Sequence, residues 1–130
     1  MIFYNFAAAL YREGKYQQSD SLLKKGLEIN PDFELILMYL GNIARFRNKP
    51  DEAEMYYERV IKANRKYFEA YVDLAALAGR RDLNRARNLL RECLRINPGY
   101  KSAVLALGET YRISDPDIAK KYDELAKSLK

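Results

Sequence analysis

Residues 30–44 read NPDFELILMYLGNIA, and residues 97–111, which lie 67 positions later, read NPGYKSAVLALGETY. Both segments begin with Asn-Pro, and both carry Leu-Gly ten residues further on, as Leu40-Gly41 and Leu107-Gly108. Other residues recur at about half this spacing, with an alanine at positions 53, 86 and 119 and an asparagine at positions 30, 64 and 97. A period of 33–34 residues is typical of stacked structural repeats.

Each period contains two amphipathic helices separated by a short turn. In the second period, apolar residues at positions 37, 40, 43 and 44 line one face of a first helix, and residues 53, 56, 57, 60 and 61 line one face of a second. Pro50 suits the first turn of that second helix. The pattern predicts four helix pairs, at 2–13 and 17–29, 34–47 and 51–63, 68–79 and 83–96, and 101–113 and 117–129.

The composition favours a helical protein without catalytic machinery. The 130-residue chain is 48% hydrophobic and has six glycines and four prolines, which leaves few turn residues for an all-β fold. It has no histidine and one cysteine, which excludes the commonest general base, an intrachain disulfide and a cysteine-based zinc site. We find no glycine-rich phosphate loop in the sequence. We therefore expect no enzyme activity, no cofactor and no metal site.

The period and its recurring residues resemble the tetratricopeptide repeat (TPR) family. The resemblance covers essentially the whole chain and implies an all-α fold, an α-α superhelix (solenoid) of four helix-turn-helix repeats. It implies a single domain over residues 1–130, with repeats at about 1–33, 34–67, 68–100 and 101–130. The matching positions are Phe3, Phe6, Ala7, Leu10, Ser19, Leu23, Gly26 and Pro31, then Leu37, Leu40, Gly41, Ala44, Ala53, Tyr57 and Val60, then Tyr71, Leu74, Ala75, Ala78, Ala86, Leu90, Cys93 and Pro98, and finally Val104, Leu107, Gly108, Tyr111, Ala119 and Ala126.

Small residues mark the crossing of the two helices in each repeat, because close approach requires small side chains at the contact. The sequence departs from the family pattern in the third and fourth repeats, whose turns between helices are each one residue short. Cys93 is interpreted as a small buried residue of the third repeat. The predicted crossing residues are Ala7, Gly41, Ala75 and Gly108 in the first helices, and Ser19, Ala53, Ala86 and Ala119 in the second.

The resemblance implies a protein–protein interaction module that binds a peptide segment of a partner in a concave groove lined by the first helix of each repeat. Aromatic, methionine and arginine side chains are enriched at such interfaces. Asn42 can hydrogen-bond a peptide backbone, and the arginines can bind carboxylates. The predicted groove residues are Tyr4, Tyr11, Arg12, Met38, Tyr39, Asn42, Arg45, Phe46, Asp73, Arg80, Glu109 and Arg112.

One class of ligand is not expected. Some TPR co-chaperones hold the C-terminal carboxylate of Hsp70 or Hsp90 with lysine, asparagine and arginine side chains. The matching positions in this chain hold Tyr4, Ala8, Tyr39, Glu69 and Asp73, none of which fits. A frame that starts one repeat later leaves only Asn42 as a match, so we do not expect this carboxylate as a ligand.

Two alternative functions remain open. The net charge is +5, and the excess of basic residues lies in the second half of the chain, with 13 basic against 9 acidic residues. Arg87, Arg91 and Arg95 lie on one helical face of the third repeat and could bind an acidic partner or, less favoured, a nucleic acid. Alternatively, the chain could self-associate as a weak homodimer through the N-terminal end of the stack, where the first helix begins at Met1 without an N-cap and Phe3 is partly open.

The sequence carries little information on location. No run of 18 apolar residues is present, so no membrane span is predicted. The apolar start lacks the basic leading region of a signal peptide, which favours the cytoplasm. The uncapped start also favours a segment of a longer protein.

Overall fold

The computed structural model describes the backbone of residues 2–130 and the side chains of residues 4–130. Met1 and the side chain of Phe3, and with them the predicted uncapped start of the first helix, lie outside the described residues. Over residues 2–130 the chain forms helices and no strand. The eight helices are α1 (Ile2–Arg12), α2 (Tyr16–Ile29), α3 (Glu34–Phe46), α4 (Pro50–Ala63), α5 (Phe68–Ala78), α6 (Leu83–Ile96), α7 (Lys101–Glu109) and α8 (Pro116–Ser128).

The chain divides into two compact units, Met1–Arg65 and Lys66–Lys130. In the first unit α1 packs on α2 and α3 on α4, and α2 packs on α3 to join the two pairs. In the second unit α5 packs on α6 and α7 on α8, and α6 packs on α7. The four predicted helix pairs are confirmed, whereas the prediction that they form a single domain stays a prediction.

Small residues lie where the helices of a pair cross, as predicted. The buried Ser19 hydroxyl donates to the Ala7 carbonyl oxygen across α1 and α2, with an oxygen–oxygen distance of 2.8 Å. Gly41 of α3 faces the ring of Tyr57, and Gly108 of α7 faces Tyr122. At both glycines an added Cβ would lie within 3 Å of the tyrosine, so these crossings admit no larger side chain without a shift.

The two units turn between paired helices in different ways. In the first unit, Gly14 and Asn48 stand at the same repeat position and take positive φ angles of 79° and 58°, a conformation that glycine and asparagine tolerate best. In the second unit the turns are one residue shorter, and aspartates begin the second helices. The side chain of Asp82 accepts a hydrogen bond from the Arg85 amide, and that of Asp115 from the Ile118 amide, which satisfies the free amides of a helix start.

Helix α7 is shorter than predicted. The pattern predicts a helix over 101–113, but α7 ends at Glu109 and residues 110–114 form turns. Two contacts explain the early end: the Thr110 hydroxyl donates to the Leu107 carbonyl oxygen, and the Thr110 carbonyl oxygen accepts a hydrogen bond from Arg87 at 2.6 Å. The Thr110 carbonyl oxygen therefore accepts a hydrogen bond from a side chain of α6 and not from the backbone amide four residues later, as it would in a longer α7.

Cys93 is fully buried in α6, as predicted. Burial raises the pKa of its thiol to about 11, so it is a packing residue at neutral pH. None of the helices in residues 2–130 combines the length and the apolar character that a membrane crossing requires.

Candidate functional site

Six aromatic rings form a continuous cluster on the first unit, here called the aromatic surface. Tyr11 contacts Tyr39 edge-on, with ring centres 5.0 Å apart, and Tyr39 contacts Tyr4 in the same way at 5.7 Å. Stacked rings extend the cluster at both ends, where Tyr4 stacks on Phe33 and Tyr16 stacks on Phe46. The residues of the aromatic surface are Tyr4, Tyr11, Tyr16, Phe33, Tyr39 and Phe46.

The aromatic surface is open to solvent at its edge. Phe46 is 59% exposed, and the other five rings are half-buried. The exposed ring packs against half-buried rings and cannot be buried further by a side-chain rearrangement. Such an apolar patch is typical of the anchor residues at protein interfaces. Burial is also the main cause that raises the pKa of Tyr11, so this ring stays a neutral phenol near pH 7.

The sequence predicted four of these six residues. Tyr16 and Phe33 were missed because the groove was predicted only from the first helix of each repeat. Tyr16 begins α2, which is a second helix, and Phe33 precedes α3. Met38, which was predicted in the groove, is only 4% exposed and belongs to the core. Its position lies at the edge of the buried face of α3, where a long flexible thioether can turn inward.

Asn42 is less available for a ligand than predicted. Its side-chain oxygen accepts a hydrogen bond from the hydroxyl of the buried Tyr57 at 2.5 Å, and its side chain also hydrogen-bonds Tyr11. Asn42 therefore links the core to the aromatic surface. Of the two predicted arginines in this unit, Arg12 is exposed and Arg45 is half-buried.

The predicted residues of the second unit are divided between a charged group and a cavity. Arg112 lies between two carboxylates, at 2.9 Å from Glu109 and 2.7 Å from Asp123. Its hydrogen bond to Asp123 is the largest cause that lowers the pKa of that carboxyl. Asp73 is half-buried and Arg80 is exposed. Glu109 and Arg112 thus neutralise each other instead of acting as separate ligand contacts.

The arginine face of α6 is largely used within the second unit. The guanidinium of Arg87 lies 3.8 Å from the centre of the Tyr111 ring and donates hydrogen bonds to the side chain and carbonyl of Thr110. Arg91 donates to the Tyr111 hydroxyl, and Arg95 forms an ion pair with Glu92 at 2.7 Å. The contacts of Arg87 and Arg91 tie α6 to the turn that follows α7, whereas the ion pair of Arg95 lies within α6. All three arginines of this face thus already have partners within the second unit.

A cavity of about 400 Å³ lies among α5, α6 and α7 of the second unit, here called the slot. Its lining is almost entirely aliphatic, with Arg80, Glu109 and Thr110 as its polar members. It combines two predicted groove residues, Arg80 and Glu109, with three residues of the predicted repeat pattern, Ala75, Ala86 and Leu90. The remaining lining residues are Val72, Ala76, Gly79, Leu83, Ala106 and Thr110.

A second cavity lies beside α1 and α2. It measures about 960 Å³, and apolar residues such as Phe6 and Leu22 line it together with polar ones such as Lys15 and Arg47. Phe6, predicted as a packing residue, is 59% exposed, whereas Leu40 of the next repeat, at the equivalent position, is 1% exposed. In the described chain α2 packs against α3, but no described helix covers this side of α1.

No group of three or more carboxylate or thiol side chains in the described part of the chain is arranged to hold a metal ion.

Two segments of the chain, residues 2–33 and residues 35–70, each match a family model described as Tetratricopeptide repeat. The comparison with curated proteins gives no match. Among solved structures, the chain is similar to MamA 41-end from Desulfovibrio magneticus RS-1, at 20% identity and a TM-score of 0.83 over 98% of this chain and 73% of that one. It is also similar to TTC0263, a thermophilic TPR protein in Thermus thermophilus, at 20% identity and a TM-score of 0.79 over 98% and 73%.

A third similar structure is the first TPR of Spaghetti (RPAP3) bound to the HSP90 peptide SRMEEVD. The identity is 19% and the TM-score 0.76, over 85% of this chain and 89% of that one. At these identities the likeness shows the fold, and the predicted all-α superhelical repeat is confirmed.

Proposed function

Because the chain belongs to the tetratricopeptide repeat family, we propose that it is a non-enzymatic interaction module that binds a peptide segment of a partner protein on its aromatic surface. The family and fold suggest an interaction module, and the choice of surface is our own. The observation that carries it is the cluster of six contacting rings with Phe46 exposed at its edge.

Physical chemistry supports this surface as the anchor. Rings that are already half-buried and held by their neighbours lose little conformational freedom when a ligand covers them. Two basic residues, Arg12 and Arg45, adjoin Tyr11 and Phe46 in the sequence, whereas Asp32 and Glu34 flank Phe33. The preferred segment therefore has apolar side chains, with an acidic one at the end that meets Tyr11 and Phe46.

The similar structure with a bound HSP90 peptide does not change the expected ligand class. That peptide is a ligand of the Spaghetti protein, and the two chains share only 19% identity. In this chain the positions that would hold a C-terminal carboxylate carry Tyr4, Ala8, Tyr39, Glu69 and Asp73. We therefore propose an internal apolar segment as the ligand.

The test is selection of peptides against the folded chain, followed by calorimetric titration of the selected peptides. Phe46→Ser removes an exposed ring, and Ile29→Ser is the matched control because Ile29 is 69% exposed in the same unit outside the aromatic surface. We expect Phe46→Ser to weaken binding about tenfold or more and Ile29→Ser to leave it unchanged. Peptides that tolerate Phe46→Ser but are lost with Ile29→Ser would contradict the assignment of this surface.

We propose self-association as a second candidate, favoured by the exposed ring of Phe6 at the edge of the second cavity. Phe6→Asp would place a charge on that surface and should abolish any dimer. Sedimentation of wild type and variant over a hundredfold concentration range checks this. A wild type that remains monomeric throughout would remove the dimer.

A further inference from the structure

The slot of the second unit has a counterpart in the first unit that is filled. The repeat register places Val72 and Gly79 at the positions of Tyr4 and Tyr11, 68 residues earlier. The same register places Leu83 and Ala106 at the positions of Tyr16 and Tyr39, 67 residues earlier. Four tyrosines of the first unit thus correspond to a valine, a glycine, a leucine and an alanine in the second.

The four tyrosines occupy their space with ring contacts. Tyr11 lies at the centre, with ring centres 5.0 Å from Tyr39 and 5.5 Å from Tyr16, and Tyr4 contacts Tyr39 at 5.7 Å. In the second unit the helices pack in the same order, but the smaller side chains leave about 400 Å³ open. The slot therefore lies where the first unit holds tyrosine rings and where the corresponding side chains of the second unit are smaller.

We propose that the slot binds an aromatic side chain of a peptide, in the position that tyrosine rings fill in the first unit. The floor consists of buried aliphatic residues, Ala75, Ala86 and Leu90, and a ring placed on it exchanges water for apolar contacts. The inference rests on the proposed function in that the ligand is a peptide, but it concerns a different unit and a different surface.

The charged residues at the edge of the slot determine which peptide residue is preferred next to the aromatic one. Glu109 lies beside the slot, but its carboxylate is paired with Arg112 at 2.9 Å. Arg80, on the slot lining, is exposed and forms no ion pair with any residue that the structure describes. An acidic residue next to the aromatic one would pair with Arg80, so the preferred ligand is an aromatic–acidic sequence.

The test uses a blocked tetrapeptide with the sequence glycine–tyrosine–aspartate–glycine, titrated into the protein and followed by NMR. Two further peptides replace the tyrosine by alanine or the aspartate by asparagine. We expect shifts at Val72, Ala76, Gly79 and Ala106, binding about tenfold or more weaker for the alanine peptide, and roughly threefold weaker for the asparagine peptide at low salt.

Filling the slot provides the decisive variant. Ala106→Tyr restores the ring that stands at Tyr39 in the first unit, and we expect it to reduce binding of the tyrosine peptide about tenfold or more. Leu105→Tyr is the matched control, because it adds the same ring to α7 at an exposed residue that does not line the slot. If Ala106→Tyr does not fold, as judged by circular dichroism, Val72→Phe fills the slot from α5.

The outcomes separate the slot from the aromatic surface. Equal binding of the tyrosine and alanine peptides, tight binding to the filled variants, or no shift at millimolar peptide would each overturn the slot as a binding site. Shifts confined to Tyr11 and Phe46 and abolished by Phe46→Ser would also overturn the slot, while they would support the aromatic surface. If the wild type sediments as a dimer and Ala106→Tyr as a monomer, a second copy fills the slot and the peptide is overturned as its ligand.

Discussion

Replacing Gly41 with alanine should destabilise the protein although alanine is the better helix former. The new Cβ would lie 2.5 Å from Cε1 of Tyr57, whereas nonbonded carbons pack at about 3.5–4.0 Å. The ring would have to move by about 1 Å, yet Tyr57 is fully buried and its hydroxyl donates to Asn42. Overpacking of this kind costs about 1–3 kcal/mol, and alanine returns about 1 kcal/mol in helix propensity.

The expected net effect is therefore a loss of about 1–2 kcal/mol in the free energy of unfolding, since the Tyr57–Asn42 hydrogen bond is disturbed as well. Thermal and urea unfolding followed by circular dichroism would measure it, with an expected fall in Tm of roughly 3–8 °C. Gly99→Ala is the control, because an added Cβ there meets no atom within 4 Å and should change stability by less than about 0.5 kcal/mol.

The first and third repeats indicate a second substitution that should restore the stability lost in Gly41→Ala. The equivalent pairs are Ala7 with Leu23 and Ala75 with Leu90, so an alanine on the first helix occurs where the second helix carries leucine. In a Tyr57→Leu background, Gly41→Ala should be neutral or should stabilise by up to about 1 kcal/mol. If Gly41→Ala is instead neutral in the wild type, or equally costly in both backgrounds, the Gly41–Tyr57 contact does not limit this crossing and the reasoning is wrong.

Three further predictions concern the second unit. Arg87→Ala should cost about 1–3 kcal/mol of unfolding free energy, because it removes a cation–π contact and hydrogen bonds to Thr110; Arg95→Ala, which breaks only an exposed ion pair, should leave the midpoint of the same urea titration nearly unchanged. Since Arg112 lowers the pKa of Asp123 in the folded protein, that carboxylate stabilises the fold above its unfolded pKa near 4 and stops doing so as pH falls through the lowered value. Asp123→Asn should thus make the loss of stability between roughly pH 5 and pH 2 shallower, and an unchanged slope in urea titrations across that range would contradict it. Cys93, buried and with its pKa raised to about 11, should react with an aromatic disulfide reagent at pH 8 roughly a hundredfold more slowly than in denaturant, and rapid labelling of the folded protein would refute its burial.

The sequence was sufficient for the helix pairs because their signals are local and repeated. The crossing residues at Gly41 and Gly108, the period of 33–34 and the short turns all constrain the same eight helices. The predicted end of α7 was four residues too late. The actual end depends on the hydrogen bond from Arg87 to Thr110, and these two residues are 23 positions apart in the chain. A contact of that range leaves no periodic pattern in the sequence.

The candidate site was only partly predictable for a related reason. Repeat alignment assigns each residue to the inner or outer side of its helix, and it assigned Tyr4, Tyr11, Tyr39 and Phe46 to one face. These four side chains are partly exposed in the structure, and their role in binding stays a prediction. Alignment does not say which way a boundary residue such as Met38 turns. Nor does it say whether an exposed arginine is already paired, because pairing depends on the neighbouring helix.

The two units show how one repeat pattern supports different surfaces. Crossing residues are small in all four repeats because helix packing requires it, but the first-helix faces are free to vary. The first unit fills its face with tyrosine rings, which therefore contribute to its own packing. The second unit leaves the slot open and gives up that packing.

We infer that Arg87 and Arg91 compensate for the open slot. The equivalent positions in the first unit hold Asp20 and Lys24, which pair with each other on α2 at 3.0 Å. In the second unit both arginines instead reach Tyr111 beyond the end of α7. Tyr111 does not line the slot, and Thr110, which Arg87 also hydrogen-bonds, is one of its few polar lining residues. The arginines can therefore hold α6 against the turn after α7 while the aliphatic part of the slot stays free for a ligand.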